Sequence, residues 1–147
     1  MEASELAELR TMFIFTPPQG STWNLVLEDF AARLRERTPD EFVRIDESPQ
    51  GSGARGPSMS FGFTLQDGAV EGIVLTTPEG AAVTNVTAQE AAEFAMWLRN
   101  HVVPNGAPMM VNTEWGVEDD FPEALVPDVP RPSLVAALLS HLEERLD

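Results

Sequence analysis

Two histidines are the first candidates for chemistry, and each lies near the carboxyl end of a predicted helix. There the helix dipole favours the protonated ring, and we interpret both His101 and His141 as solvated structural residues. Ser140 and His141 do not form a nucleophile pair, because adjacent residues on a helix point about 100° apart. No nucleophile-elbow sequence occurs in the chain, so a serine triad has no local support.

A cluster of acidic residues in the second half of the chain is the next candidate: Glu118, Asp119, Asp120 and Glu123. Carboxylate oxygens in such a cluster could ligate Ca²⁺ or Mg²⁺. The EF-hand pattern is missing, however, and consecutive acids in a loop seldom converge on one point. An acidic docking surface and a merely solvated loop are the alternative interpretations.

A carboxylate-based or metal-assisted hydrolase is an alternative function, with Glu114, Asp119, Asp120 or His101 in its site. Such chemistry requires two acids held in a cleft at a defined separation, one of them with a raised pKa. The sequence does not show that arrangement. We therefore predict no catalytic residue, no cofactor and no metal ligand.

The residue types that the chain lacks narrow the chemistry further. There is no Cys, no Tyr and no Lys, and all nine basic residues are Arg. Without Cys there is no thiolate nucleophile or zinc–thiolate site, and without Lys there is no Schiff base or P-loop lysine. An all-arginine basic set is typical of codon bias in a high-G+C genome, so we expect a bacterial protein.

The charge balance argues against one class of partner. The 24 acidic and 9 basic residues give a formal net charge of −15 at pH 7, which repels phosphate backbones, so we expect no nucleic-acid binding. No window of the sequence approaches the ~18 apolar residues of a membrane span. The first five residues lack the basic start of a secretory signal, and we expect a cytoplasmic protein.

The elements that must position these residues are organised around the stretch 87–104. Thr87 and Glu90 have the spacing of a capping box, in which each side chain accepts a hydrogen bond from the other residue's backbone N–H. Five apolar residues then form one stripe at helical spacing: Ala91, Phe94, Ala95, Leu98 and Val102. Pro104 is expected to end this helix.

The rest of the pattern predicts a single α+β domain over residues 1–147. We expect an antiparallel sheet of about five strands with helices packed against it, in the order α-β-α-β-β-β-α-β-α. The strand candidates are 12–16, 42–46, 58–65, 69–77, 81–86 and 109–115. The third, fourth and fifth of these should form an antiparallel meander. This order is similar, at the level of topology alone, to that of secretion chaperones and toxin-immunity proteins.

Helices are also expected at 2–10, from Ser21 or Thr22 to about residue 38, and after Pro130. The second of these carries an apolar stripe that begins at Trp23, and Asp29 and Arg33 on its polar side are i,i+4 neighbours. The last helix has a stripe of five apolar residues: Val135, Leu138, Leu139, Leu142 and Leu146.

Two segments are expected to be irregular. Residues 48–58 form a Gly/Pro/Ser-rich loop, and its G-x-G-x-x-G lacks the helix that must follow in a dinucleotide site, so we interpret it as a flexible hairpin loop. Residues 114–130 contain several prolines, and the part from 114 to 128 has six acids and no base.

Met96 and Trp97 fall on the side of the predicted 87–104 helix that faces away from its core stripe. Either another helix or the segment after residue 114 covers them, or they anchor an interface with acids at its rim. The partner-binding hypothesis therefore names eight residues: Glu93, Met96, Trp97, Trp115, Glu118, Asp119, Asp120 and Glu123.

These observations favour a non-catalytic protein-binding module. We expect an immunity, inhibitor or secretion-chaperone-like protein whose acidic surface meets a basic protein partner, because complementary charge speeds association and selects among partners. A homodimer of unknown role, paired through the side that carries Met96 and Trp97, is the other non-catalytic alternative.

Overall fold

This computed structural model describes residues 3–18, 20–39, 41–46, 57–65, 68–76, 79–104, 106–113 and 124–146. The helices in these ranges are α1 (Ala3–Glu8), α2 (Leu27–Arg37), α3 (Ala88–His101) and α4 (Arg131–Leu146). The strands are β1 (Thr11–Thr16), β2 (Val43–Asp46), β3 (Ser58–Leu65), β4 (Gly68–Thr76), β5 (Glu79–Val86), β6 (Met110–Thr113) and β7 (Ala124–Leu125). The predicted α+β class is confirmed.

The strands form one antiparallel sheet in the order β2-β3-β4-β5-β1-β6-β7. The consecutive strands β3, β4 and β5 make the predicted meander. The first strand of the chain, β1, lies between β5 and β6, so pairing across long sequence separations completes the sheet. Within the described ranges the sheet thus has seven strands rather than about five.

The edge strand β7 lies inside the segment 114–130, where no strand was predicted. Its two residues pair with β6, and the N–H of Val126 just beyond it donates to the carbonyl of Met109 at 2.8 Å. A strand of this length is too short to show the period-2 alternation that marks strands in a sequence. Pairing with β6, rather than local pattern, creates it.

One face of the sheet carries the large apolar residues of the core. Phe13 and Phe15 of β1 and Phe61 and Phe63 of β3 are fully buried there, and α2 and α3 pack over them. The Phe94 ring of α3 lies 5.7 Å from the Phe61 ring and 5.1 Å from the Phe63 ring. The remaining helices are layered outward, since α4 packs on α3 and α1 packs on α4.

The helix α3 has the predicted start. The Thr87 hydroxyl accepts from the Glu90 N–H, and the Glu90 carboxylate accepts from the Thr87 N–H at 3.0 Å. Four of its five predicted stripe residues are buried, and Val102 is half-buried. The capping box therefore acts as the sequence indicated.

The helix α2 starts later than predicted. It begins at Leu27 instead of near Ser21, and Trp23 is buried in the extended segment before the helix, where its indole N–H donates to the Pro108 carbonyl at 3.2 Å. Asn24 adopts φ 55°, which interrupts any helix at that position. The predicted stripe residues Leu27, Phe30 and Leu34 are buried as expected. Trp23 fits their spacing only by coincidence, because it lies before the helix and its hydrogen-bond partner is on another segment.

The buried face of α4 is rotated from the predicted stripe. Leu134, Leu138 and Leu142 are buried, while Val135 and Leu139 are half-buried. His141 is only 4% exposed, which corrects its interpretation as a solvated residue. The helix packs against both α3 and α1. Because two sides of the helix are covered, His141 is buried although it lies outside a single amphipathic stripe.

Among the described helices, none is both long enough and apolar enough to cross a membrane.

Candidate partner-binding site

A groove of about 410 Å³ lies between the start of α2 and the end of α3. Its apolar lining includes the buried Trp23 and Phe30 and the half-buried Val102. Val26 also lines it and is 48% exposed, an unusual position for a large apolar residue beside a groove. The polar lining consists of Asn24, Asp29, Arg33, Glu36 and His101.

The wall formed by residues 22–26 is held in place by Glu79 at the start of β5. One oxygen of the Glu79 carboxylate accepts from the Thr22 hydroxyl and from the Trp23 N–H, the latter at 3.1 Å. The other oxygen accepts from the Leu25 N–H at 2.8 Å. Hydrogen bonds to an ionised acceptor are the stronger ones, so this single carboxylate fixes a non-repetitive segment against the sheet.

A second groove of about 560 Å³ lies on the other side of the end of α3. Its far wall is the segment 125–128, in which Leu125 is 63% exposed. Arg99 ties this wall to α3, because its guanidinium donates to the carbonyls of Val126 and Pro127 at 2.8 Å each. Arg99 also lies 3.7 Å from the Asp128 carboxylate.

His101 lines both grooves and is exposed. Its ring centroid lies 6.2 Å from that of Trp97, the only aromatic contact recorded for it among the described residues. The carbonyl end of a helix carries a partial negative charge, so the last turn of α3 attracts cations to the ridge between the grooves.

Most arginines that the structure describes already have acceptors within the molecule. Arg10 pairs with Glu90, Arg33 with Glu36, Arg37 and Arg131 with Glu93, and Arg99 with Asp128, at distances between 3.0 and 3.8 Å. Glu28 and Asp29, at the start of α2, are exposed and form no ion pair within the described ranges. Arg33 thus pairs with Glu36 at i,i+3 instead of with Asp29. Asp29 therefore brings an unneutralised carboxylate to the first groove.

The three residues of α3 in the partner-binding hypothesis, Glu93, Met96 and Trp97, differ in their exposure and contacts. Trp97 is 7% exposed and packs edge-on against Phe30 and Phe63, with ring centroids 5.3 and 5.4 Å away. Of the two alternatives for Trp97, the structure therefore shows cover by another helix, because α2 packs against that side of α3. Met96 is half-buried against the core.

Glu93 is a partly exposed acid that links two helices. Its carboxylate lies 3.8 Å from the Arg37 guanidinium at the end of α2 and 3.3 Å from the Arg131 guanidinium at the start of α4. Arg37 also lies over the Phe63 ring, 3.9 Å from its centroid. Glu93 therefore connects the ends of two helices, and two arginines already neutralise part of the negative charge that a partner could contact.

Trp115 and the four acids of the predicted interface lie outside the described residues; the acids are Glu118, Asp119, Asp120 and Glu123. Glu114, named for the hydrolase alternative, does so too. Within the described ranges no group of three or more His, Asp or Glu side chains is placed to hold a metal ion. Both the acidic interface and the hydrolase stay predictions.

Apart from His101, the residues that form the first groove were not identified as candidates from the sequence. The apolar stripe that begins at Trp23 predicts a buried Val26, and the spacing of Asp29 and Arg33 predicts a helix-stabilising pair. No local signal brings residues 24–36 next to His101, because the two segments meet only through packing of α2 and α3 on the same sheet face. Trp23, a large aromatic residue just before a helix, is the one feature that could have suggested an anchored segment there.

Comparisons with protein-family models, with curated proteins and with solved structures found no match to this chain.

Proposed function

We propose that this chain is a non-catalytic, acidic protein-binding module of a bacterial cytoplasm, of the immunity, inhibitor or secretion-chaperone type, that binds a basic protein partner. The observation that supports it most is the internal pairing of arginines. Five of the seven arginines with described side chains have carboxylate partners in the same chain. Most of the described positive charge is therefore already paired, and the unpaired acids give the surface of this chain, with its net charge of −15, a negative potential.

The ridge at the end of α3, with its two flanking grooves, suits a basic side chain. A lysine or arginine has an apolar stem and a charged head, and can lay the stem on apolar surface while the head reaches an acid. In the first groove Val26 and Trp23 provide the apolar surface, and Asp29 provides the acid. The carbonyl end of α3 adds to the same attraction.

The sharpest test compares two acids in the first turn of α2. Glu28 and Asp29 are both exposed and both stabilise the start of the helix, but only Asp29 lines the groove. Affinity capture from a lysate of the source bacterium, with wild type, Asp29→Asn and the control Glu28→Gln, should recover one basic protein with wild type and with the control. Asp29→Asn should bind it more weakly, by about tenfold if one desolvated charge contact of about 1.4 kcal/mol is lost.

Measurement of the association rate with the recovered protein at increasing salt concentrations completes this test. Electrostatic attraction at the rim of an interface is screened by ions, so the association rate should fall steeply with ionic strength. Recovery of no basic protein, equal binding by both single variants, or an association rate that ignores salt would each contradict the proposal.

A further inference from the structure

The face of the sheet opposite the helices carries a second set of apolar side chains. Side chains alternate along a strand, so the residues between the buried ones of β1 and β4 project from this other face. Five apolar residues on this face are half-buried and lie outside the core cluster of the described residues: Met12, Ile14, Ile73, Leu75 and Met110. The four described helices belong to the layer on the core face. We call the surface around these five residues the open face.

The open face has a furrow along β5 and a ridge along β1. Ala82 of β5 pairs with Ile73 of β4 on one side and with Ile14 of β1 on the other, so the three side chains lie in one row. Ala82 is the smallest of them and is only 6% exposed. The furrow continues at Gly80, where a Cβ atom would lie 3.0 Å from a methyl carbon of Thr16.

A ridge directly beside a furrow makes the open face complementary to itself. A two-fold axis that runs along the strands, midway between β5 and β1, brings β1 of each copy over β5 of the other. Ile14 of one copy then enters the furrow above Ala82 of the other, and the symmetry makes this contact twice. The same axis brings β4 over β6 and sets Leu75 against Met110. The shape of the face thus selects a second copy of this chain as its occupant.

We propose that two copies of this chain form a dimer by packing their open faces together, with Ile14 of each copy seated over Ala82 of the other. The six strands from β3 to β7 in sheet order average about six residues, at about 3.3 Å per residue and about 4.8 Å between strands. Each copy therefore contributes about 600 Å², and the total of about 1,200 Å² is at the lower end of the range for stable specific interfaces. Such sheets pack about 10 Å apart with their strands about 30° from parallel.

The distribution of charge is compatible with this arrangement. Within the described ranges Glu71 is the one charged residue that these six strands direct to the open face. Acids such as Glu28, Asp29 and Glu36 lie on α2, in the helical layer on the other side of the sheet. In the dimer the two helical layers are outermost, with both sheets between them. The remaining repulsion between two copies of net charge −15 should be weakened by added salt.

Exchange of the ridge and furrow residues tests the fit. Ala82→Ile adds apolar surface but fills the furrow, so it should raise the Kd of the dimer by about tenfold or more, and Ile14→Ala should raise it by removing the ridge. The double variant Ile14→Ala/Ala82→Ile should restore dimerisation, because ridge and furrow have changed places. Ala32→Ile, at an exposed position of α2, adds apolar surface outside the interface and should leave the Kd unchanged.

Sedimentation equilibrium measures the Kd, and circular dichroism shows that each variant is folded. Wild type should sediment as a dimer that salt strengthens. A wild-type monomer at high protein concentration would overturn the proposal and assign the open face to another protein. Tighter association of Ala82→Ile would overturn it as well, because the face would then be merely apolar, and so would a folded double variant that stays monomeric. The grooves beside α3 are on the helical side of the sheet, so dimerisation and capture of a basic partner fail independently.

Discussion

Gly72 lies in the middle of β4, opposite Phe61 of β3 on one side and Val83 of β5 on the other. A Cβ atom at this position would lie 2.4 Å from Cζ of the Phe61 ring and 2.5 Å from the carbonyl oxygen of Ala82. Both distances are far inside van der Waals contact. The glycine therefore makes room for Phe61 to lie across β4 and to reach Phe30 of α2 and Phe94 of α3.

At the residue scale, Gly72→Ala should lower the free energy of unfolding by about 1–3 kcal/mol, the usual cost of overpacking a well-filled core. The matched control is Gly62→Ala on β3, where the nearest atom to a new Cβ would be a Glu41 carboxylate oxygen at 3.0 Å. This is the far end of a long side chain, which can shift at the cost of its hydrogen bonds to Thr64, so a smaller loss is expected. Urea unfolding of both variants measures the difference. Equal losses would show that the space above Gly72 is not limiting.

The segment 20–26 is the element whose position depends most on a single side chain. It has neither helical nor strand hydrogen bonding, yet it supplies the buried Trp23 and one wall of the first groove. The Glu79 carboxylate takes the place of regular backbone hydrogen bonding, because it accepts hydrogen bonds from Thr22, Trp23 and Leu25. The local sequence of the segment does not reveal this, because its partner lies more than fifty residues away.

At the element scale, Glu79→Gln should destabilise the protein by about 1.5–3 kcal/mol, since a charged acceptor is lost and the amide N–H₂ of Gln faces donors. Glu71→Gln is the control, because Glu71 is an exposed acid on the adjacent strand β4. Hydrogen exchange at the Trp23 and Leu25 amides gives the local readout. Unchanged protection at these two amides in Glu79→Gln would contradict the assigned role.

The whole molecule carries a large excess of negative charge over the ion pairs that tie its helices and sheet together. Exposed pairs of this kind contribute little each, on the order of 0–1 kcal/mol. Repulsion among unpaired acids acts over the entire surface and destabilises the compact state. We therefore expect net repulsion, rather than loss of the five ion pairs, to dominate the response to salt.

At the scale of the molecule, the melting temperature should rise as sodium chloride is added, because the Debye length falls from about 30 Å at 0.01 M to about 8 Å at 0.15 M. A variant with Glu8→Gln, Glu71→Gln and Glu143→Gln, three exposed acids outside the ion pairs of the described residues, should melt at a higher temperature in low salt and respond less to added salt. A melting temperature that falls with salt would mean that the ion pairs matter more than the repulsion.

The elements that could be predicted are those whose signals are local. The capping box of Thr87 and Glu90, the strand at 58–65 and the meander from β3 to β5 involve residues close in sequence, and the structure confirms each of them. The candidate site could not be predicted in the same way. Asp29 and His101 share a groove only because α2 and α3 pack side by side over the same aromatic residues.

The sequence by itself determined the α+β class, the start and core stripe of α3, the strand meander and the acidic character of the chain, because short-range periodicity and charge count do not depend on what packs against what. Tertiary structure decided that Trp97 and His141 are buried, that Trp23 precedes its helix, and that β7 exists. Each of these depends on a partner distant in the chain. Solvent exposure is a property of a residue's neighbours in space, and a helical wheel or a strand pattern contains only its neighbours in sequence.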